Sequence, residues 1–248
     1  MSFSKHFFWI FSNVFGFLFG RRFLSPIYHT IINLSLHGLG YDNCLFSGEE
    51  WFIKKTLSLS NPRVCLDIGA NVGNYTKILL KHTKAKIYAI EPSLSSFKKL
   101  KKLESERVIC AQVAMSDFDG EAFLYSKTDA DTKASLKESG EKKTEKVTVL
   151  TIQTFLKEYN IKNVDFIKID VEGYEKEVLE KLGSLRPVFI QFEFNIHHLY
   201  RNCSFYEIAR LLPEYEFYRL LSRGWIKINP KKFLDNIFMF CNIIAVKI

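Results

Sequence analysis

Short apolar runs alternate with segments of helical spacing along most of the chain that follows Pro62. Each run has the length of a β-strand, and the segments between the runs place their apolar residues three or four positions apart. This alternation predicts a parallel β-sheet covered by helices on both faces. The pattern predicts strands at residues 63–68, 86–92, 107–115, 164–169 and 186–195, further strands within 216–228 and 236–248, and helices at 75–82, 94–103, 174–182 and 204–212.

The middle of the chain interrupts this alternation. Residues 126–146 are rich in lysine and acidic residues together and show no apolar period. The flanking segments EAFLY and VTVLT have strand character, so the polar stretch predicts a long hairpin or a mobile loop between two strands. Its lysines are interpreted as a solvated surface.

The start of the chain is unusually aromatic. One stretch begins at Phe7, ends at Phe19 and is flanked by lysine and arginine residues. It is shorter than the roughly 20 apolar residues that a membrane-spanning helix needs. Two interpretations stay open: a shallow anchor in the membrane surface, or a helix buried against the main domain or a second subunit.

The domain boundary is expected where Asn61 and Pro62 end a helix predicted over residues 49–58. We therefore expect a helical N-terminal extension over residues 1–60 and a main domain over residues 61–248. The five cysteines are scattered and form no CxxC pair. This usage predicts reduced thiols in a cytoplasmic protein, or in one that lies peripherally on the cytoplasmic face of the membrane.

The composition is that of a folded globular protein, with 47% hydrophobic and 25% charged residues among 248. The formal net charge of +8 favours acidic partners such as nucleic acid, an anionic membrane or a phosphorylated substrate, and does not choose among them. No recognisable nucleic-acid-binding motif occurs, and the lysines are spread along the chain. No specific nucleic-acid partner is therefore expected.

Acidic residues stand at matching places in the predicted sheet. Asp67, Glu91 and Asp170 each end a predicted parallel strand. The carboxyl ends of parallel strands meet at one edge, which is where open α/β sheets bind ligands. Carboxylates that converge there are costly unless the ligand brings positive charge or hydroxyl donors.

A glycine-rich loop follows the first of these strands, in LDIGANVGNYT. It contains Gly69 and Gly73 but not the G-x-G-x-x-G pattern that binds a pyrophosphate. S-adenosylmethionine (SAM) fits better, since it carries an ammonium and a sulfonium and no phosphate. Asp67 is placed near the ammonium, directly or through water. The helix start at Asn71 and Asn74 is suited to the methionine carboxylate.

The second acid, Glu91 in AIEPS, is placed to accept hydrogen bonds from both ribose hydroxyls, by the same logic as the ribose-binding acid of dinucleotide folds. Together with KIDVEG further along the chain, these features favour a SAM site over a purely structural role for the loop.

The motifs LDIGANVGNYT, AIEPS, VAMSDFDG, VTVLTIQTFL, FIKIDVEGYEKEVLEKL and PVFIQFE resemble those of the FkbM family of SAM-dependent methyltransferases. The resemblance implies a class I methyltransferase fold: a Rossmann-like α/β domain with a seven-stranded sheet, mostly parallel with one antiparallel strand, flanked by helices. It implies methyl transfer to oxygen, commonly a hydroxyl of a sugar, a glycolipid, a polyketide or another secondary metabolite. It also places Ala114 beside the cofactor. Gln153 stands where relatives usually carry an acid, and a role at the start of a helix, or in support of the residues that line the site, is expected for it.

Three residues are candidates for the chemical step. Asp170 ends the strand next to the cofactor-binding one, so its carboxylate can reach the acceptor hydroxyl or the methyl group. His197 follows the next strand and is the other candidate general base. Glu172, in the turn after Asp170, either contacts the substrate or caps the following helix.

Asp170 and Glu172, with Glu193 on the next strand, could also hold a divalent cation such as Mg²⁺ through their oxygens. Carboxylates without a histidine partner indicate this weakly, so no metal site is predicted. Two other functions remain as alternatives: methylation of RNA, prompted by the net charge, and a catalytically silent cofactor-binding protein at the membrane.

Overall fold

The computed structural model describes residues 47–126, 143–232 and 240–248, together with residues 13, 14, 17, 24 and 27. The chain divides into two compact units, residues 1–40 and residues 41–248. The strands and helices reported below belong to the second unit. Most of the aromatic stretch near the N-terminus and most of residues 126–146 lie outside the described residues, so the predictions made for them are not addressed by the structure.

Eleven strands and seven helices occur in the described part of the second unit. The strands are β1 (Val64–Ile68), β2 (Lys86–Ile90), β3 (Val108–Ala111), β4 (Ala114–Met115), β5 (Gly120–Ser126), β6 (Lys143–Leu150), β7 (Phe166–Ile169), β8 (Phe189–Asn195), β9 (Tyr215–Leu221), β10 (Gly224–Ile228) and β11 (Phe240–Lys247). The helices are α1 (Glu49–Lys55), α2 (Asn74–His82), α3 (Leu94–Leu100), α4 (Ile152–Glu158), α5 (Glu175–Glu180), α6 (Ile196–Tyr200) and α7 (Phe205–Leu211). Short 3-10 turns follow α1 at Leu57–Ser60 and α3 at Lys101–Leu103.

The main sheet has eight strands in the order β10-β9-β11-β8-β7-β1-β2-β3. Strands β8, β7, β1, β2 and β3 pair in parallel, and β11 runs antiparallel to both of its neighbours, β8 and β9. The predicted fold class is thus confirmed. The sheet has one strand more than the seven expected. This strand is β10, which forms because the chain reverses after β9 and pairs with it in antiparallel register.

The order in which successive strands are added to the sheet reverses at β1. Strands β2 and β3 extend the sheet on one side of β1, and β7 and β8 extend it on the other. The loops that leave β1 and β7 therefore diverge at the carboxyl edge and leave a crevice between them. In open α/β sheets this crevice is the position at which ligands bind.

A second sheet of three strands, in the order β4-β6-β5, lies beside the first. The single strand predicted at residues 107–115 is wrong in this respect, since β3 belongs to the main sheet and β4 pairs with β6. Its apolar pattern continues past the break because both residues of β4 are buried, Ala114 in the apolar cluster of the small sheet and Met115 in the main core. That hairpin is the one predicted from EAFLY and VTVLT, and its second strand begins at Lys143, within the stretch predicted to be polar loop.

Alternate residues of the central strands pack on opposite faces of the main sheet. Leu66 belongs to one apolar cluster and Cys65 to the other. Helix α1 closes the second cluster with Phe52, whose ring centroid lies 5.9 Å from that of Phe166 and 5.6 Å from that of Phe189. The compact unit therefore includes α1, although the sequence pattern assigned this helix to the N-terminal extension.

The described cysteines, Cys65, Cys110, Cys203 and Cys241, are buried free thiols. Among the residues that the structure describes, no helix combines the length and the apolar character needed to cross a bilayer.

Candidate functional site

A cavity lies at the carboxyl edge of the main sheet, where β1, β2 and β7 end side by side. Its acidic lining residues are Glu91, Asp170 and Glu172. Its apolar wall includes Met115 and Leu124, which come from the small sheet. The cavity thus combines an apolar surface with converging carboxylates, as expected of a site for a ligand that has both an apolar part and positive charge.

The loop after β1 is held tightly against β2 and β7. The backbone N–H groups of Gly69 and Ala70 both donate to the carbonyl of Ile90, each at 2.9 Å. Gly69 has a φ of 80°, and a Cβ built on it would lie 1.7 Å from the backbone carbonyl oxygen of Asp170. Only glycine fits here, because both the backbone conformation and the space exclude a side chain.

Glu91 is the most firmly held acid of the cavity. One of its carboxylate oxygens accepts the backbone N–H of Asn71 and the other accepts that of Ser93, both at 2.9 Å. The side chain is buried, and this burial, with the charges of Asp170 and Asp67, raises the pKa of Glu91 to about 7. Each oxygen keeps a second lone pair for a hydroxyl donor in the cavity.

Asp67 is fully buried and does not itself line the cavity. Its Oδ2 accepts a hydrogen bond from Oγ1 of Thr76 at 2.6 Å, and within the described chain its Oδ1 has no hydrogen-bond partner. Burial raises the pKa of Asp67 above its ordinary value, although the ammonium of Lys168 acts in the opposite direction. Asp67 therefore lies near the end of β1, as predicted. It was expected to meet an ammonium group, but its side chain is buried and does not reach the cavity surface.

Asp170 follows β7 and projects from the sheet edge into the cavity lining. Its backbone N–H donates to the carbonyl of Ile68 at 2.9 Å, so the residue is fixed against the end of β1. Its Oδ2 forms an ion pair with Nζ of Lys168 at 2.8 Å, and its side chain remains about one third exposed. A carboxylate with one partner and an open side can accept a further proton or hydrogen bond.

The turn after Asp170 carries Glu172, which lines the cavity with a φ of 52°. The following helix has Tyr174 as its N-cap residue, with no side-chain capping bond. The N-cap position is thus held by Tyr174, and both interpretations of Glu172, a substrate contact and support of the following helix, stay predictions. Tyr174 also lines the cavity, and its ring lies 3.8 Å below the guanidinium of Arg201, which also donates to the carbonyl of Gly173.

The two histidines after β8 have different surroundings. His197 is exposed, lies beside Gly173 and does not line the cavity. His198 is fully buried, with its Nδ1 accepting the backbone N–H of Asn195 at 3.2 Å and its Nε2 lying 2.7 Å from Oε2 of Glu175. The contact between Nε2 and Oε2 lacks hydrogen-bond geometry, and neither atom has another hydrogen-bond partner among the described residues. His198 thus fastens β8 to α5.

Glu193, considered as a metal ligand with Asp170 and Glu172, is hydrogen-bonded by Nδ2 of Asn195. Burial, with the charges of Asp170, Glu175 and Glu172, raises the pKa of Glu193 well above its ordinary value. Among the described residues, no three histidine, cysteine or acidic side chains are grouped so that they could hold a metal ion.

The sequence-predicted residues fall into two groups in the structure. Those that line the cavity are Gly69, Asn71, Glu91, Ala114, Asp170 and Glu172. Those that do not are Asp67, Gly73, Asn74 and His197. A Cβ on Gly73 would meet the side chains of Leu103 and Leu100, so this glycine serves packing against α3 and the turn after it.

Sequence reasoning missed two residues that shape the site. Tyr174 stands directly after KIDVEG, where its position between a strand and a helix signalled the sheet edge. Lys168 is buried under the cavity, and the available signal was a single cation inside an otherwise apolar strand. A lone buried lysine of this kind needs a carboxylate partner nearby.

Known proteins resemble this chain to different extents. A family model described as Methyltransferase FkbM domain matches residues 67–219. A segment of 43 residues is 44% identical to Hemolysin A of Brachyspira hyodysenteriae and covers 17% of this chain and 18% of that protein. The chain therefore spans less than a fifth of that relative.

Two solved structures are more distant. The O-methyltransferase from Bacillus cereus, crystallised in complex with SAH, is 16% identical with a TM-score of 0.44, and the match covers 80% of each chain. The N-methyltransferase NodS from Bradyrhizobium japonicum WM9 is 14% identical with a TM-score of 0.44, covering 84% of this chain and 98% of that one. Likenesses this distant do not bear on the acceptor.

The family match covers more than half of the 248 residues. It begins at Asp67 and includes Glu91, Asp170 and Glu172, so the acids of the cavity lie inside the matched region. This chain belongs to the FkbM methyltransferase family.

Proposed function

We propose that the protein is a SAM-dependent O-methyltransferase whose acceptor is a hydroxyl of a glycan, a glycolipid or a similar secondary metabolite. The observation that carries the proposal is Glu91. Both of its oxygens are aligned by backbone N–H groups, and the carboxylate lines a cavity at the point where the sheet changes direction. A paired hydroxyl donor such as a ribose suits this arrangement.

The rest of the cavity fits SAM in its charge and its apolar wall. Glu91, Asp170 and Glu172 make the site acidic, which disfavours the phosphates of a dinucleotide and favours a cationic ligand. Ala114 and Met115 offer an apolar surface to the adenine ring. When bound, SAM supplies a methyl group activated by its bond to a positively charged sulfur.

Asp170 is proposed as the base that accepts the proton lost by the acceptor hydroxyl. Its carboxylate lies in the cavity lining and is fixed at the backbone by Ile68 and at the side chain by Lys168. A base that is fixed in this way aligns the acceptor oxygen as well as receiving its proton. Glu172 and Tyr174 stand on the same side of the cavity and are available to hydroxyl groups of the acceptor.

The acceptor class is tested by incubating the protein with SAM carrying a labelled methyl group and with separate glycolipid, glycan, RNA and small-molecule fractions of cell extract. We expect label in a glycan or glycolipid fraction, in an alkali-stable ether linkage. Label in RNA would favour the RNA alternative, and its binding should then weaken steeply with salt. Binding of SAM without transfer to any fraction would favour the catalytically silent alternative.

The affinity for the cofactor product S-adenosylhomocysteine (SAH) should depend on pH through Glu91. The folded protein holds the pKa of this acid at about 7, and only the ionised form offers both oxygens to the ribose. Affinity is therefore fully present above pH 7 and falls as the pH drops through 7, by about tenfold between pH 8 and pH 6. Calorimetric titrations at both pH values measure the change. Glu91→Gln should bind weakly at both, and an equal pH effect in that variant would assign the titration to another group.

We also propose that residues 1–40, the N-terminal unit, hold a cytoplasmic enzyme peripherally on the membrane. The support is the sequence: the aromatic stretch is too short to span a bilayer, and Arg21 and Arg22 follow it. Within the stretch, the described residues Val14 and Phe17 are helical and more than half exposed. A glycolipid acceptor would itself lie at this surface.

Sedimentation with anionic vesicles tests the membrane proposal. The full chain should co-sediment at low salt, and replacing Arg21 and Arg22 with serine should weaken sedimentation, because basic residues near an anionic surface contribute about 1 kcal/mol each. SAH binding serves as the control and should not change. No sedimentation at low salt, with loss of stability when residues 1–22 are deleted, would instead indicate that the stretch packs on protein.

A further inference from the structure

A row of buried polar side chains crosses the middle of the main sheet. Lys168 on β7 pairs in register with Asp67 on β1 and with Gln191 on β8. Residues in register on parallel strands project to the same face, so the three side chains are neighbours. Asp67 and Gln191 are fully buried, and Lys168 is only 6% exposed. Their polar atoms are hydrogen-bonded, with Oδ1 of Asp67 as the exception among the described residues.

Lys168 is surrounded by acids from several elements. Its Nζ lies 2.8 Å from Oδ2 of Asp170 and 4.8 Å from the ring centroid of Tyr75 on α2. Asp67 on β1 and Glu49 on α1 also act on it electrostatically. Burial alone lowers the pKa of Lys168, but these carboxylates outweigh burial and raise the pKa above its ordinary value. Lys168 therefore carries its charge throughout the neutral range.

A chain of hydrogen bonds holds the surroundings of Lys168 in place. The hydroxyl of Tyr75 donates to Oε1 of Gln191 at 2.7 Å, and Nε2 of Gln191 donates to Oε1 of Glu49, also at 2.7 Å. The hydroxyl of Ser47 donates to the other carboxylate oxygen of Glu49 at 2.9 Å. The network thus extends from the start of α1, across β8, to the ring that Lys168 contacts.

The chemical consequence falls on Asp170. Its carboxylate shares the region with those of Glu91, Glu193 and Asp67, each of which interacts with it electrostatically. Like charges that act on one carboxylate disfavour its orientation toward a shared cavity unless a cation compensates them, and the Lys168 ammonium, 2.8 Å from Oδ2 of Asp170, is such a cation. Lys168 does not line the cavity, and among the described residues its one ion pair is with Asp170.

We propose that Lys168 is a positioning residue of the methyl-transfer site, which compensates the charge of the Asp170 carboxylate and directs it toward the cavity. The inference rests on the proposed function, because it assigns Lys168 a role through Asp170. It adds that the buried hydrogen bonds that link Glu49, Gln191 and Tyr75 hold Lys168 in place, and through Lys168 they support Asp170. Lys168 is not itself a catalytic residue, since it does not touch the cavity.

The proposal is tested by counting the protons released when SAM and SAH bind. Titrations at pH 8 in buffers of different ionisation enthalpy give this number, and at that pH Glu91 has lost its proton. SAM differs from SAH by the positive charge that would lie near Asp170. The unaltered protein should release the same number of protons with both ligands. Lys168→Met should release up to about one additional proton with SAM and none with SAH, because the cation then displaces a proton from the site.

Three further variants make the result specific. Lys168→Arg keeps the charge and should restore the behaviour of the unaltered protein. In the double variant Lys168→Met with Asp170→Asn, the additional proton should disappear. If Lys168→Met fails to fold because Asp67 is left without its cation, the double variant Lys168→Met with Asp67→Asn removes that charge and should still release the additional proton.

Two outcomes would overturn the inference. One is a folded Lys168→Met or Lys168→Met/Asp67→Asn protein that releases no more protons with SAM than with SAH. The other is additional release that persists after Asp170→Asn, which would place the proton elsewhere. Failure of the unaltered protein to bind either ligand would instead contradict the proposed function, so the two failures are distinguishable.

Discussion

Gly69→Ala is expected to lower the free energy of unfolding by about 3 kcal/mol or more and to abolish SAH binding. The φ of 80° costs an alanine about 1 kcal/mol. The larger part comes from the Cβ, which would lie 1.7 Å from the carbonyl oxygen and 2.8 Å from the carbonyl carbon of Asp170. These are backbone atoms, so relief requires separating the end of β1 from the end of β7.

Gly73→Ala is the matched control. Its φ of 84° imposes the same backbone strain, but the atoms that its Cβ would meet are Cδ1 of Leu103 at 2.4 Å and Cδ1 of Leu100 at 2.9 Å. Leucine side chains can change rotamer, so we expect a loss of about 1–2 kcal/mol and retained SAH binding. Urea unfolding and calorimetry measure both quantities. Equal losses in the two variants would show that the contact with Asp170 does not govern the loop.

Asp170→Asn is expected to reduce methyl transfer by about 100-fold or more while leaving the SAH affinity within a few-fold. Asparagine keeps the shape of the side chain and an oxygen that can accept from Lys168, so the fold and the cavity persist. What it loses is the ability to take a proton from the acceptor hydroxyl. Single-turnover transfer of labelled methyl to the responsive extract fraction provides the rate.

A second aspartate provides the control for this experiment. Asp165 precedes β7 and accepts the backbone N–H groups of Arg63 and Val64, at the edge of the sheet opposite to the cavity. Asp165→Asn should therefore affect stability and leave the transfer rate within a few-fold. If Asp170→Asn keeps most of the rate, then Asp170 is structural and His197→Ala becomes the decisive variant.

The sequence pattern was sufficient to predict the strands that are buried on both faces of the main sheet. The central strands are buried on both faces and mostly apolar, so β1, β2, β7 and β8 were predicted close to their observed bounds. The order of β1 and β7 in the sheet also brings Asp67 and Asp170 to one edge, as the strand ends indicated. Residues 107–115 form one apolar run but contribute strands to two different sheets, and the spacing of apolar residues does not show where the first strand ends and the second begins.

The details of the site depend on contacts that pattern does not encode. Lys168 and Gln191 are single polar residues within apolar strands, and the sequence around each of them does not indicate that they lie beside one another and near Tyr75. The difference between His197, which is exposed, and His198, which is buried against Glu175, likewise follows from the way α6 packs and not from the dipeptide itself.

The separation into two sheets has a consequence for turnover. The wall formed by Gly69 and Asp170 is built on neighbouring strands of the main sheet and cannot part without breaking backbone hydrogen bonds. The facing wall, with Met115 and Leu124, belongs to the small sheet, and in the described chain no strand pairing joins the two sheets. A methyltransferase must release one spent cofactor for each product it makes. We therefore expect the spent cofactor to leave past the small sheet, and substitutions in β4 or β5 to change the rate of product release more than the rate of methyl transfer.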